Sequence, residues 1–258
     1  MRIIFEDRAS DSPYVERIWR SRCEHAGTFI SMALSQWQLV VWNDHISSYF
    51  TIRGPETKAT PAFCPVHEEF MGIVLPHGVF MPHLAPDGML DSAVTLPGAS
   101  GATFRLDNST WQLPTFDNAD VFVSRLVRAG ILVREPVVDA ALRGECNDLS
   151  LRSTQRRFLR ATGLTHSVIR QIDRARYATT LLQQGVSILD AVFQAGYFDQ
   201  PHLTRSLKHF IGLTPSQIVD PNRTERLSLL YKQNPSWRSY NTNVLKTSEL
   251  YSQAPSSL

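Results

Sequence analysis

Over the first 75 residues, apolar positions come in short runs rich in aromatic and β-branched side chains. The runs are 14–22 (YVERIWRSR), 28–34 (TFISMAL), 37–43 (WQLVVWN), 48–54 (SYFTIRG) and 69–75 (EFMGIVL), separated by Gly, Pro, Asn or Asp. Short runs bounded by turn residues read as strands. They predict an antiparallel sheet or small barrel. From 76 to 115 Pro and Gly are frequent, which predicts loops joined by short strands.

At residue 117 the apolar spacing changes from that of strands to that of helices. Asp117 is placed to cap a helix with Asp120 three residues on, Val121, Phe122, Leu126 and Val127 form its stripe, and Gly130 stands at its end. Pro136 opens a second helix, 136–143, closed by Gly144. Ser150 caps a third over 151–162, and a longer one follows over 165–184, with Ile169, Ile172, Ala175, Thr179 and Leu182 as its inward stripe. After Pro221 the chain turns to Ser, Asn and Gln, so 232–258 is expected to be disordered, with RLSLLY (226–231) as a candidate last helix. The predicted class is α+β, with a β-rich unit at 1–115, a helical linker at 116–135, an all-α unit at 136–220 and an extension at 221–258.

Charge sharpens this division. The 258 residues carry a net charge of +2, but residues 1–149 hold 12 Lys and Arg against 18 Asp and Glu, whereas 150–212 hold 9 against 3. A compact basic segment behind an acidic one points to a polyanionic partner for the helical part alone. No run reaches the roughly 18 apolar residues of a membrane span, and MRIIFEDRAS lacks the long apolar segment of a secretory signal. The expected location is therefore the cytoplasm, with no membrane partner. Three widely spaced cysteines, Cys23, Cys64 and Cys146, argue against a disulfide framework and suit a reducing compartment.

The basic segment has an internal plan. Ser187 caps a short helix with Asp190 at the reciprocal position, and Ile188, Ala191, Val192 and Ala195 form its apolar face. Gly196 permits the left-handed turn that ends it. Asp199 then caps a further helix in which Pro201 is tolerated in the first turn. Leu203, Leu207 and Phe210 face the core, and Pro201, Arg205, Lys208 and His209 lie opposite, with Gln200 and Thr204 towards the edge. A short helix, a glycine turn and a helix with one basic face make a helix-turn-helix, whose second helix fits a major groove. Upstream, Thr154, Phe158 and Ala161 share one side of 151–162, while Arg156 and Arg160 fall about 40° and 80° round from Arg152 at about 100° per residue. Gln155 flanks them. Arginine reads guanine edges and glutamine reads adenine, and both reach phosphates. PVVDAALRG (136–144) supplies the supporting helix of this first unit, and 165–184 the spacer. Two readers so spaced suit successive major grooves, roughly 34 Å apart.

The segments LSLRSTQRRFLRATGLT (149–165) and SILDAVFQAGYFDQPHLTRSLKHFIGLTP (187–215) resemble the DNA-binding domain of the AraC/XylS family of bacterial transcriptional regulators. The likeness spans about residues 136 to 220. Thr154, His166, Asp173 and Val192 depart from the family's leucine, proline, apolar and alanine preferences at those positions. The resemblance implies two helix-turn-helix motifs on double-stranded promoter DNA, with Arg152, Gln155 and Arg156 in the first reader helix and Gln200, Pro201 and Arg205 in the second. Arg160, His202, Thr204 and Lys208 complete the candidate contacts. It further implies that the β-rich part, often cupin-like, senses a small-molecule effector or pairs two copies into a homodimer, with RNA polymerase as a further partner.

Other chemistry stays open at this level. Cys64 and His67 stand at metal-ligand spacing, with Cys23, His25, His45, His77 and His83 also in the β-rich part, but zinc usually wants four ligands from tight pairs. The sequence calls for no cofactor. Trp19, Trp37, Trp42, Tyr49 and Phe50 are either core or the lining of a ligand pocket. No nucleophile elbow, phosphate-binding glycine loop or His-Glu-x-x-His helix occurs, which argues against an enzyme. The alternatives to a regulator are a ligand- or metal-sensing protein whose helices meet protein partners, and a metalloenzyme built on the β-rich part.

Overall fold

A computed structural model describes residues 2–43, 46–84, 86–99, 102–145 and 149–222. Cys146, His45, the candidate helix 226–231 and the extension beyond it lie outside these residues. The order is strands first, helices second. The strands are β1 (Arg2–Arg8), β2 (Arg17–His25), β3 (Gly27–Ser31), β4 (Gln38–Asn43), β5 (Ser48–Arg53), β6 (Thr60–Cys64), β7 (Glu69–Val74), β8 (Val79–Phe80), β9 (Ala93–Ala99), β10 (Thr103–Leu106) and β11 (Ser109–Gln112). After α1 (Ala119–Arg128) and β12 (Val133–Arg134) come α2 (Pro136–Arg143), α3 (Leu151–Thr162), α4 (His166–Gln183), α5 (Ile188–Gln194), α6 (Gln200–Phe210) and α7 (Pro215–Val219).

Eight strands form one open antiparallel sheet in the order β1-β2-β7-β4-β5-β9-β10-β11, while β3 pairs with β6 and β8 with β12. The five predicted runs all become strands. β1 and the strands β9 to β11 come from stretches whose pattern is too short or too interrupted by Pro and Gly to show alternation. The sheet core is aromatic: Phe50 stacks on Phe104 at 4.2 Å, and Phe122 of α1 meets Phe50 edge-on at 5.7 Å and Trp111 at 6.3 Å. Trp37 and Phe50 are buried in this core, Trp19 packs against Gly72, and Trp42 stacks on Tyr49 at 4.2 Å. These aromatics serve packing, the first of the two readings of the sequence.

Two local expectations are corrected. The residue preceding α1 is Asn118, not Asp117, and its side chain makes no cap bond because Asn118 Oδ1 accepts from the Thr115 amide instead. With the helix set in that register, Val123 turns inward and Val121 is 62% exposed. Asp120 instead ties the helix start to the strands, pairing with Arg8 at 2.8 Å and accepting from Ser10. The cysteine reading is also overturned. Cys23 and Cys64 form a disulfide, because pairing across the fold brings their Cα atoms to 6.4 Å although 41 residues separate them in sequence.

Candidate nucleic-acid interface

The helical part is built from its caps inward. Ser150, Thr165, Ser187, Asp199 and Thr214 each accept from the backbone N–H three residues on, as local chemistry dictates. Gly144, Gly163 and Gly196 close their turns with positive φ. The spacer's stripe is buried throughout, with Ile169, Ile172, Ala175 and Thr179 fully so. Phe158 anchors α3, while Leu203, Leu207 and Phe210 anchor α6.

With those faces inside, the opposite faces emerge. Arg152, Gln155, Arg156 and Arg160 are exposed on α3, as are Gln200, Pro201, Arg205 and Lys208 on α6. His202 and Thr204 are half-buried. His202 meets the Tyr197 ring edge-on at 5.1 Å, which fixes it against the turn, and Thr204 donates its hydroxyl to Gln200 O at 2.8 Å. Lys208 reaches Gly212 O at 3.3 Å, near the helix C-terminus where a cation is favoured. Arg205 is thus the outward cation in the middle of α6.

The two readers flank one depression. A cavity of about 580 Å³ is bounded by Leu159 of α3, Val168 and Gln171 of α4, and Arg205 and His209 of α6, with Thr57 of the strand-rich part at its rim. Arg174 of the spacer stacks over Tyr197 at 4.5 Å and donates to Gly196 O at 3.3 Å, so it braces the second turn. Sequence reasoning assigned that arginine no role. Its signal is its place one turn from the buried stripe and facing the glycine turn, which only the packed helices reveal. Leu189, Phe193 and Phe198 of the second unit are also exposed, and nothing in the apolar spacing marks them as such.

The spacer also faces the strands. Arg176 donates to Ala33 O at 2.9 Å. Burial, opposed by Arg176 and reinforced by Glu16, pushes the carboxyl of Asp173, which stands where an apolar residue is expected, up to about 7. His77 lies in the same junction, 2.9 Å from Ser35, and burial together with Arg176 and His166 holds it down to about 4. His166, another of the four departures, packs edge-on against Phe158 at 5.8 Å. Cys64 is joined to Cys23 and so is not free to pair with His67 on a metal; among the described residues no cluster of three or more His, Cys, Asp or Glu could hold an ion. Among the same residues no helix is long and apolar enough to cross a membrane.

Comparison with known proteins places this segment. The model of a family described as a helix-turn-helix domain matches residues 145–220. No curated protein matches the sequence. Among solved structures, ToxT from Vibrio cholerae is similar at 9% identity and a TM-score of 0.39, covering 83% of this chain and 97% of its own. The matched residues include α3 and the whole second unit, with both glycine turns and both outward arginine faces. Residues 145–220 thus carry a helix-turn-helix domain, the kind of module whose second helix fits a major groove.

Proposed function

We propose that the chain reads a specific promoter sequence by laying α3 and α6 in successive major grooves, and that its strand-rich part adjusts this reading in response to a small-molecule effector. Arg152, Gln155, Arg156 and Arg160 act from α3, and Gln200, Pro201 and Arg205 from α6. His202, Thr204 and Lys208 shape or flank the second contact. The supporting observation is that Arg156 and Arg205 are both exposed, on α3, whose buried Phe158 meets His166 at the start of the spacer, and on α6, which packs along the spacer. Arginine in such a place forms bidentate bonds to guanine or to phosphate.

The division of labour follows the organisation expected from the sequence. Residues 1–115 sense the effector or pair two copies, 116–135 link, and 136–220 bind DNA in the cytoplasm, where RNA polymerase is the further partner. The amides of Ala33 and Ala59 donate to α6 and Ala33 O accepts from Arg176 of the spacer, and these three hydrogen bonds offer a route between the parts.

Selection of duplexes from a random pool by the full chain tests this reading. The selected duplex is expected to bind with log K falling by about 0.9 per neutralised phosphate for each unit of log salt concentration. A chain that enriches no sequence and shows no salt dependence overturns the proposal.

A further inference from the structure

Cys23 and Cys64 fasten one end of a two-stranded ribbon whose other end holds the second reader helix. β3 and β6 pair only with each other among the described residues, from Gly27 opposite Cys64 at the base to Ser31 opposite Thr60 at the tip. At the base the disulfide ties β6 to β2 of the main sheet. Beyond the tip, Ala59 donates its amide to His209 O at 2.9 Å and Ala33 donates to Phe210 O at 2.8 Å. Those carbonyls belong to the last turn of α6, where a helix leaves its acceptors unmatched. The strand-rich part therefore supplies the C-terminal caps of the reader. Gly212, at φ +86°, lets the chain pass beneath, since a Cβ there would stand 2.8 Å from Ile30 and 3.2 Å from Ala59. Arg176 completes the clasp at Ala33 O.

From this connection we infer that Cys23–Cys64 is a thiol–disulfide regulatory site, which tightens the ribbon's grip on α6 when oxidised and relaxes it when reduced. The reductant is a dithiol. Its thiolate attacks Sγ of Cys64, the S–S bond breaks, and Cys23 leaves as a thiolate that takes up a proton. The second thiol of the reductant then displaces Cys64 Sγ and leaves as the cyclic disulfide, so two electrons pass to the protein and two cysteine thiols result. Attack needs access. Cys23 is fully buried and Cys64 is 4% exposed, but the cover is thin: Phe63 and Val66 on either side of Cys64 are themselves exposed. Lifting the ribbon opens the bond, so a loosened clasp and a reactive disulfide are one event seen from two ends.

The inference is independent of which residues read DNA, and its test is chosen accordingly. In a full-length Cys146→Ser background, where only this pair remains, hydrogen exchange at the Ala33 and Ala59 amides is followed before and after reduction with dithiothreitol. Reduction is expected to speed exchange at both by about tenfold or more, while amides of β4 and the centre of α4 stay protected. Cys23→Ser in the same background should show the fast exchange without reductant. Gly212→Ala, which disturbs the tip, should speed reduction of the bond. If Cys23→Ser does not fold, reduction of the parent protein decides alone. Unchanged exchange at Ala33 and Ala59 on reduction overturns the proposal, as does alkylation showing that oxidised glutathione never joins the pair.

Discussion

Arg157 grips Glu135 through two hydrogen bonds of 3.0 and 2.7 Å, so one of the four arginines of α3 points back to the start of α2 rather than out. Glu135 also accepts from the Val137 amide and is the N-cap of α2. The pair therefore sets the angle between the two helices of the first unit. Glu135→Ala is expected to lower stability by about 1 kcal/mol through the lost cap. Arg157→Ala should weaken DNA binding less than Arg156→Ala does, and without altering which sequence is preferred. Competition assays with single-base variants of the selected duplex check this, since an equal change of preference in both variants would place Arg157 among the readers.

Arg205 occupies the outward centre of α6, beside the depression between the readers. Arg205→Ala is expected to cost about 1–3 kcal/mol in binding the selected duplex and to relax preference at one position. The melting temperature should not move. Fluorescence anisotropy and a thermal melt on the same preparation separate the two effects, and an unchanged affinity would remove Arg205 from the interface.

The helical half was legible because its signals are local. A capping side chain and the amide it accepts from lie three residues apart, and a glycine ends the turn beside it, so α3, α5 and α6 follow from the residues that form them. The strand half depends on partners far away in sequence. Arg2 to Arg8 become a strand only because β2 lies alongside, and the Cys23–Cys64 link depends on β6 returning, after β4 and β5, to pair with β3, the strand that follows β2. The same limit applies within the candidate interface. Arg152 and Arg156 were legible from the angle they make with Phe158, but that Arg157 is committed to Glu135, and Lys208 to Gly212, follows from where other elements end.

Phe158 and Leu207 are the inward counterparts of the reading faces, 3% and 0% exposed. Replacing either by alanine opens a cavity and should lower stability by about 2–5 kcal/mol. DNA binding is then lost with the fold and returns on cooling or with stabilising osmolyte, whereas the loss in Arg205→Ala does not. Urea titrations followed by circular dichroism measure the first effect. A midpoint unchanged in Leu207→Ala would mean that α6 is not seated on the spacer.

Asp173 and His77 give the junction opposite responses to pH. For Asp173 the carboxyl rises on folding from 3.8 to about 7, with burial as the main cause, Arg176 opposing and Glu16 adding. The folded state holds that proton more tightly, so the stabilising contribution is complete below the unfolded value and is lost as pH climbs through about 7. For His77 the value falls from 6.5 to about 4, again mainly through burial and then through the charges of Arg176 and His166. There the unfolded state holds the proton more tightly, so stability is present above 6.5 and is lost as pH drops towards 4. Asp173→Asn fixes the neutral form and leaves His77 as it is. Its melting temperature should therefore gain on the parent between pH 5 and pH 8, by about 5 °C for a chain of this size. The histidine contribution is common to both proteins and cancels in the difference. A difference that stays constant over this range would show that Asp173 is ionised and solvated in the fold, and that the strands do not cover it.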